Sequence, residues 1–231
     1  MLAGSASGEL LLVLTVYCQY DTLDMTTANR ATVHLAVYDT LADWEVGYAI
    51  AHINKPLWHR SPGRFSVSTV GMGREPITTM GGMRVVPDLS LVDLEPADSA
   101  MLILPGNDMF ATDAFAPFAD KARQFLGAAV PVAAICGATG GLALAGLLDH
   151  RAHTSNAPEF LAGTGYAGGH LYRREPAVTD RNLITAAAYA PVEFARAILA
   201  RLEVFEPRVL ESWFKLYGQQ DPAGFFELMS A

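Results

Sequence analysis

Cysteine is nearly missing from this chain, with two in 231 residues. Two thiols cannot build a disulfide framework, and Cys18 and Cys136 lack the clustering of a zinc site, so no metal is expected. Positive charge is also scarce. Sixteen Lys and Arg stand against 24 Asp and Glu, a formal charge of −8, with no basic stripe. Such a chain suits neither phosphate backbones nor anionic lipid, so no nucleic acid and no membrane is expected as a partner. The first apolar run, Leu10 to Val16, is far too short to cross a bilayer. No Gly-x-Gly-x-x-Gly follows a strand and no P-loop lysine pattern occurs, which removes the common nucleotide cofactors; no cofactor is expected. Gly71-Met72-Gly73 lacks both the third glycine and a following helix. Repeats and low-complexity tracts are absent as well.

What is present is apolar. Hydrophobic residues make up 51% and charged residues 17%, enough buried surface to offset the entropy of ordering the chain. The expectation is a globular cytoplasmic protein. Residues 1–31 read as a leader. No Lys or Arg precedes its apolar run, Glu9 sits at the start, and Met25 opens a polar stretch before the first strong strand. That is weak for a signal peptide and consistent with an added or mis-started segment, or with one extra packed strand.

From residue 32 onward the pattern is regular. Thr32–Tyr38 predicts a buried strand, and Asp43 is placed to cap a helix whose apolar positions run from Val46 to Ile53. Phe65–Val70 and Ser99–Leu104 are further strands, and Ile77–Val86, broken by Gly81-Gly82, is a small hairpin. Phe115–Ala129 is an amphipathic helix with Pro117 in its first turn. Val130–Ile135 is a strand running into Cys136 and a Gly/Ala-rich helix to Leu148. Short strands follow near Ala152–Ser155 and Leu183–Ala186, with Pro176–Thr179 paired beside the latter. Helices from Pro191 to Leu202 and from Pro207 to Tyr217 end the pattern. Alternating strands and helices imply an α/β sandwich: a mostly parallel central sheet with helices on both faces. Residues 32–231 form one domain, with a C-terminal helical extension from about 206. Its Trp213, Phe214, Tyr217, Phe225 and Phe226 cover a core face or a dimer surface.

Ligands of open parallel sheets sit at the carboxyl ends of the strands. Ala134-Ile135-Cys136-Gly137-Ala138-Thr139 delivers a thiol onto a sharp strand-to-helix turn, the sulfur counterpart of a nucleophile elbow. Free N–H groups at a helix start favour a thiolate and predict a depressed pKa, while Gly137 and Ala138 could hold an oxyanion. The alternative is a buried structural cysteine. A second strand end, Leu104-Pro105-Gly106-Asn107, offers Gly106 as another oxyanion donor, or as an ordinary turn.

The segments LPG, AICGAT and GLLDHRAHTSN, with ADWE after the first strand, resemble the ThiJ/PfpI superfamily over about residues 32–205. That superfamily includes the parkinsonism-associated deglycase and is related to class I glutamine amidotransferases. The resemblance implies a flavodoxin-like sandwich, a homodimer, Cys136 as nucleophile and Glu45 as the acid that hydrogen-bonds the thiol. Beside a thiolate such an acid should hold its proton. Read from the residues alone, Glu45 is rather a first-turn helix carboxylate that complements the dipole. The departures narrow the chemistry. Where protease-like members have histidine after the cysteine, Gly137 stands; where others have one twenty residues on, Asn156 stands, able to orient substrate or water but not to act as a base. His153 is a participant or a surface histidine; His34, His52, His59 and His170 read as structural. Glu193 lacks the preceding histidine of the amidotransferase pair, which disfavours ammonia transfer from glutamine.

Two functions follow from the resemblance. The first is a cysteine-dependent enzyme acting on a small electrophile, of hydrolase, glyoxalase/deglycase or hydratase type. The second is a stress-response redox sensor or chaperone-like protein acting through oxidation of Cys136.

Overall fold

The computed structural model describes residues 30–231. Expectations about the leader lie outside the described residues, apart from its last two. Strand β1 (Ala31–Ala36) turns buried from Val33 onward, because its neighbours cover both faces. It pairs in parallel with β2 (Phe65–Gly71) on one side and with β6 (Met101–Leu104) on the other. Between β2 and β6 lie the antiparallel hairpin β3 (Ile77–Thr78) and β4 (Arg84–Val85), and the short edge strand β5 (Leu89–Ser90). Beyond β6 come β7 (Val132–Ile135), β9 (Leu183–Ala186) and β8 (Ala177–Asp180). The sheet order is β5-β2-β1-β6-β7-β9-β8, parallel except for the antiparallel β8–β9 pair. Every residue of β6, β7 and β9 is buried, as strands covered on both faces must be.

Helices pack against this sheet and against one another. They are α1 (Gly47–Asn54), α2 (Ala116–Gly127), α3 (Gly137–Leu144), α4 (Pro158–Ala162), α5 (Pro191–Arg201), α6 (Pro207–Tyr217) and α7 (Ala223–Met229). Helix α2 begins with proline in its first turn, where a missing N–H costs nothing, and buries Phe118, Ala122 and Phe125. Trp213 of α6 is fully buried, whereas Phe226 of α7 is 69% exposed, so the C-terminal aromatics divide between core and surface. Among the described residues, no helix is long and apolar enough to cross a membrane.

Several local expectations change. Asp43 does not cap α1: Val46 occupies that position without a side-chain bond, and the Asp43 carboxylate accepts the Gly81 N–H at 2.6 Å. It fastens the hairpin instead. The helix after Cys136 stops at Leu144 rather than Leu148, and Gly146, at φ 70°, turns the chain away. Residues 152–155 join no sheet; a single parallel bridge, His153 to Tyr172, is all that forms there. The side chains of this stretch bond to loops and helix rather than to a ladder.

Candidate active site

The sheet order changes direction at β1. The chain passes from β1 to β2 on one side, then crosses back so that β6, β7 and β9 build on the other. At such a switch point the loops leaving neighbouring strands diverge and open a crevice at their carboxyl ends. The loop after β1 brings Glu45, the loop after β6 brings Gly106, and β7 ends on Cys136.

Cys136 stands immediately before α3 with φ 56° and ψ −124°, a backbone conformation that costs an L residue about 1–3 kcal/mol. Its neighbours hold it there. The Cys136 N–H donates to the Ala186 carbonyl at 3.0 Å, extending the β7–β9 ladder, and its own carbonyl accepts from the Thr139 N–H at 3.1 Å and hydroxyl at 2.6 Å. Gly137 follows because a Cβ there would come 2.4 Å from the Asn107 carbonyl oxygen. The thiol is partly exposed.

Glu45, in the turn before α1, is fully buried. Its Oε2 accepts the Gly106 N–H at 2.5 Å, while Oε1 has no partner at full hydrogen-bond geometry and the carboxyl interacts with the thiol of Cys136. A Cβ on Gly106 would lie 2.6 and 2.8 Å from the two Glu45 oxygens and 2.7 Å from the Cys136 Cβ. Glycine at this strand end therefore allows carboxyl and thiol to meet. The Gly106 N–H, expected as an oxyanion donor, is engaged by Glu45. Tyr38, fully buried after β1, donates to the Pro105 carbonyl and anchors the same turn.

The electrostatics also depart from expectation. The Cys136 thiol is pushed up to about 11, first by burial and then by the Glu45 charge; the Asn156 amide and the Gly137 N–H pull the other way without winning. The helix start alone predicts depression, but its donors are outweighed by dehydration and a neighbouring anion. Burial raises the Glu45 carboxyl too, against the Gly106 N–H. The two groups thus behave as one pair that resists carrying two charges.

Asn156 comes from the loop before α4. Its Oδ1 accepts the Ala188 N–H at 2.8 Å, which turns Nδ2 toward the sulfur at 3.5 Å. His153 is not brought to the thiol. Its Nδ1 faces the Arg151 carbonyl at 2.8 Å and so carries the proton; Nε2, 2.9 Å from the Tyr166 hydroxyl, accepts. Burial lowers its pKa, and the ring packs edge-on against Tyr166 and Tyr172. His34 bonds Ser99, and His52 and His59 bond main-chain carbonyls. Around the Cys136 sulfur the Asn156 amide and the Gly137 N–H are the donors and the Glu45 carboxylate is the acceptor facing the thiol proton; among the described residues no histidine takes part. Among the described residues no group of three His, Cys, Asp or Glu could hold a metal ion.

Sequence reasoning missed three contributors. Asn107 lies under Gly137 and caps its own loop by accepting the Met109 N–H at 3.0 Å. Thr139 and Ser155, both fully buried, share a hydroxyl–hydroxyl bond of 2.6 Å beneath the thiol. The available signal was their polarity: a hydroxyl inside an otherwise Gly/Ala-rich helix start must find a partner.

Comparison with known proteins gives a consistent picture. The model of the DJ-1/PfpI family matches residues 30–201. The Bacillus subtilis protein named uncharacterized protease YoaZ is 42% identical over 201 residues, 86% of this chain and 96% of the relative. A second B. subtilis protein, named uncharacterized protease YdeA, is 32% identical over 181 residues, 76% of this chain and 85% of its own length. Among solved structures, a ThiJ/PfpI family protein from Bacillus anthracis matches at 40% identity and a TM-score of 0.80, covering 87% of this chain and 98% of the other. A DJ-1 superfamily protein from Agrobacterium tumefaciens matches at 31% identity and 0.72, covering 82% and 98%. The mostly parallel α/β sheet expected from the sequence is the fold these relatives share.

Proposed function

The chain belongs to the DJ-1/PfpI family, and from that membership we propose that it is a thiol-dependent enzyme acting on a small electrophilic molecule, with Cys136 as nucleophile and Glu45 as proton carrier. One observation carries this reading: a fully buried carboxyl meets a partly exposed thiol across a glycine that leaves room for nothing else. A protonated thiol beside a carboxylate is a poised pair. As sulfur bonds to an electrophilic carbon, the thiol proton passes to Glu45 and the carbonyl π electrons move to oxygen. Glu45 then returns the proton to that oxygen, leaving a neutral hemithioacetal. The Asn156 amide and the Gly137 N–H, which face the sulfur, support charge developing around it.

The two curated relatives are both named proteases, and hydrolysis belongs to the chemistry considered. Peptide cleavage, however, needs a base or acid for the leaving amine, and the histidine that would serve is replaced by Asn156. Aldehyde-directed or hydratase-like chemistry, which one proton carrier can complete, is the better match. The sensor reading requires a thiolate at neutral pH. Burial and Glu45 oppose it here, which makes it the second choice. A cytoplasmic location, where a free thiol persists, and a homodimer belong to the same proposal.

The test is turnover of a panel containing methylglyoxal, a glycated amide, a simple amide and an isocyanide. Cys136→Ser is expected to lower turnover of any active member by about 10³-fold or more. Undiminished turnover by Cys136→Ser would overturn the assignment.

A further inference from the structure

We propose that Ser155 and Thr139 are positioning residues of the thiol site, holding the Asn156 amide in register with Cys136 through one buried hydroxyl pair. The proposal rests on Cys136 being the reactive group. Thr139 Oγ1 lies 2.6 Å from the Cys136 carbonyl oxygen and 2.6 Å from Ser155 Oγ. A carbonyl only accepts, so the Thr139 proton goes to Cys136, and Ser155 must then donate to Thr139. The direction of the chain is therefore forced: Ser155 to Thr139 to the main chain of Cys136. Both residues are fully buried, so neither hydroxyl faces bulk water.

Ser155 is held at a second point as well, its carbonyl accepting the Tyr172 hydroxyl at 2.9 Å. The next residue is Asn156, whose Oδ1 is fixed by the Ala188 N–H and whose Nδ2 faces the sulfur. This loop joins no strand of the main sheet; its one bridge is to Tyr172, and the Thr154 N–H donates to the Thr185 hydroxyl of β9 at 2.9 Å. The Ser155–Thr139 bond is thus a direct tie between the residues that give the sulfur its amide donor and the helix that gives the sulfur its place. At 3.5 Å the amide–sulfur contact is at hydrogen-bond distance for the larger sulfur atom, and a displacement of the loop by an ångström would lose it. Thr139 bonds the carbonyl of a residue held at φ 56°, so the same pair also steadies the unusual backbone on which the sulfur depends.

The experiment uses the full chain and follows iodoacetamide alkylation of Cys136 by peptide mass, which keeps Cys18 out of the readout, from neutral to alkaline pH. Ser155→Ala is expected to displace the pH profile upward by about one unit, the equivalent of one lost donor to a thiolate, and to slow alkylation about threefold at neutral pH, the tenfold loss of thiolate being partly offset by a more nucleophilic sulfur. Asn156→Ala should do the same. Combining the two should be no slower than Asn156→Ala alone, since both remove one interaction. Ser155→Thr, which keeps the hydroxyl, should stay within about twofold of the parent. A double variant slower by the product of the single effects would overturn the proposal, because a merely structural hydroxyl acts independently of the amide. So would a parental rate and pH profile in Ser155→Ala. Should that variant fail to fold, Thr139→Val cuts the same tie from its other end, and a parental pH profile there is equally fatal. Alkylation needs no substrate, so an absence of turnover, which would sink the enzyme reading, leaves this test intact.

Discussion

Glu45→Gln separates the two duties of the carboxyl, because it removes the charge while keeping the shape and the acceptor for the Gly106 N–H. The Cys136 thiol stands at about 11 against an ordinary 9.0, raised first by burial and second by Glu45. Gln leaves the burial and the donors from Asn156 and Gly137 in place, so only the smaller share is recovered. The thiol pKa should fall by about one unit, a tenfold gain in thiolate at neutral pH. A less basic sulfur is also less nucleophilic, with a Brønsted coefficient of about 0.4–0.5, which leaves a net rise of about threefold in alkylation rate. Turnover should move the other way, falling about 10²-fold or more with the loss of the proton carrier. The assay pairs the pH dependence of iodoacetamide alkylation with turnover of the same preparation. Alkylation slowing in parallel with turnover would refute the argument, since the carboxyl would then be activating the thiol rather than restraining it.

Other outcomes follow from the same contacts. Burial raises the Glu45 carboxyl, so the native chain holds that proton to higher pH than the unfolded chain. The associated stability is complete below the unfolded value and is lost as pH rises through the raised native value. Glu45→Gln should therefore melt like the parent in acid and higher than the parent at neutral pH, as paired thermal scans will read. Gly106→Ala places a Cβ 2.6 to 2.8 Å from the Glu45 carboxyl and the Cys136 Cβ; it should cost about 1–3 kcal/mol of stability in denaturant melts and abolish turnover. His153→Phe removes a ring whose nitrogens serve Arg151 and Tyr166, so it should lower the melting temperature while leaving the pH profile of Cys136 alkylation unmoved. A displaced profile would return His153 to the site.

Much of the fold was legible because its signals are local. Val132–Ile135 is a short unbroken apolar run and Leu183–Ala186 departs from one only at Thr185, the pattern of a strand covered on both faces. The hairpin around Gly81-Gly82 and the helix beginning at Pro207 carry their own turn and start signals. Residues 152–155 misled, because a β-branched and polar run looks the same whether its bonds go to a ladder or to side chains from elsewhere. Asp43 misled for the same reason. It has the chemistry of a helix cap, and the hairpin that claims its carboxylate lies almost forty residues on.

The sequence by itself determined that a thiol sits at a strand-to-helix turn on the rim of a parallel sheet. Strand, turn and helix there are encoded in a dozen consecutive residues. Tertiary structure decided what that thiol is like. Helix-start donors argue for a thiolate, yet the pKa rises, because dehydration and the Glu45 charge act through space from segments no local pattern connects. It also decided that Gly106 makes room for Glu45 and engages it through its N–H, that Asn156 rather than His153 faces the sulfur, and that Ser155 and Thr139 meet beneath it. Periodicity and turn chemistry are properties of neighbours along the chain, whereas charge, burial and hydrogen-bond partners belong to neighbours in space.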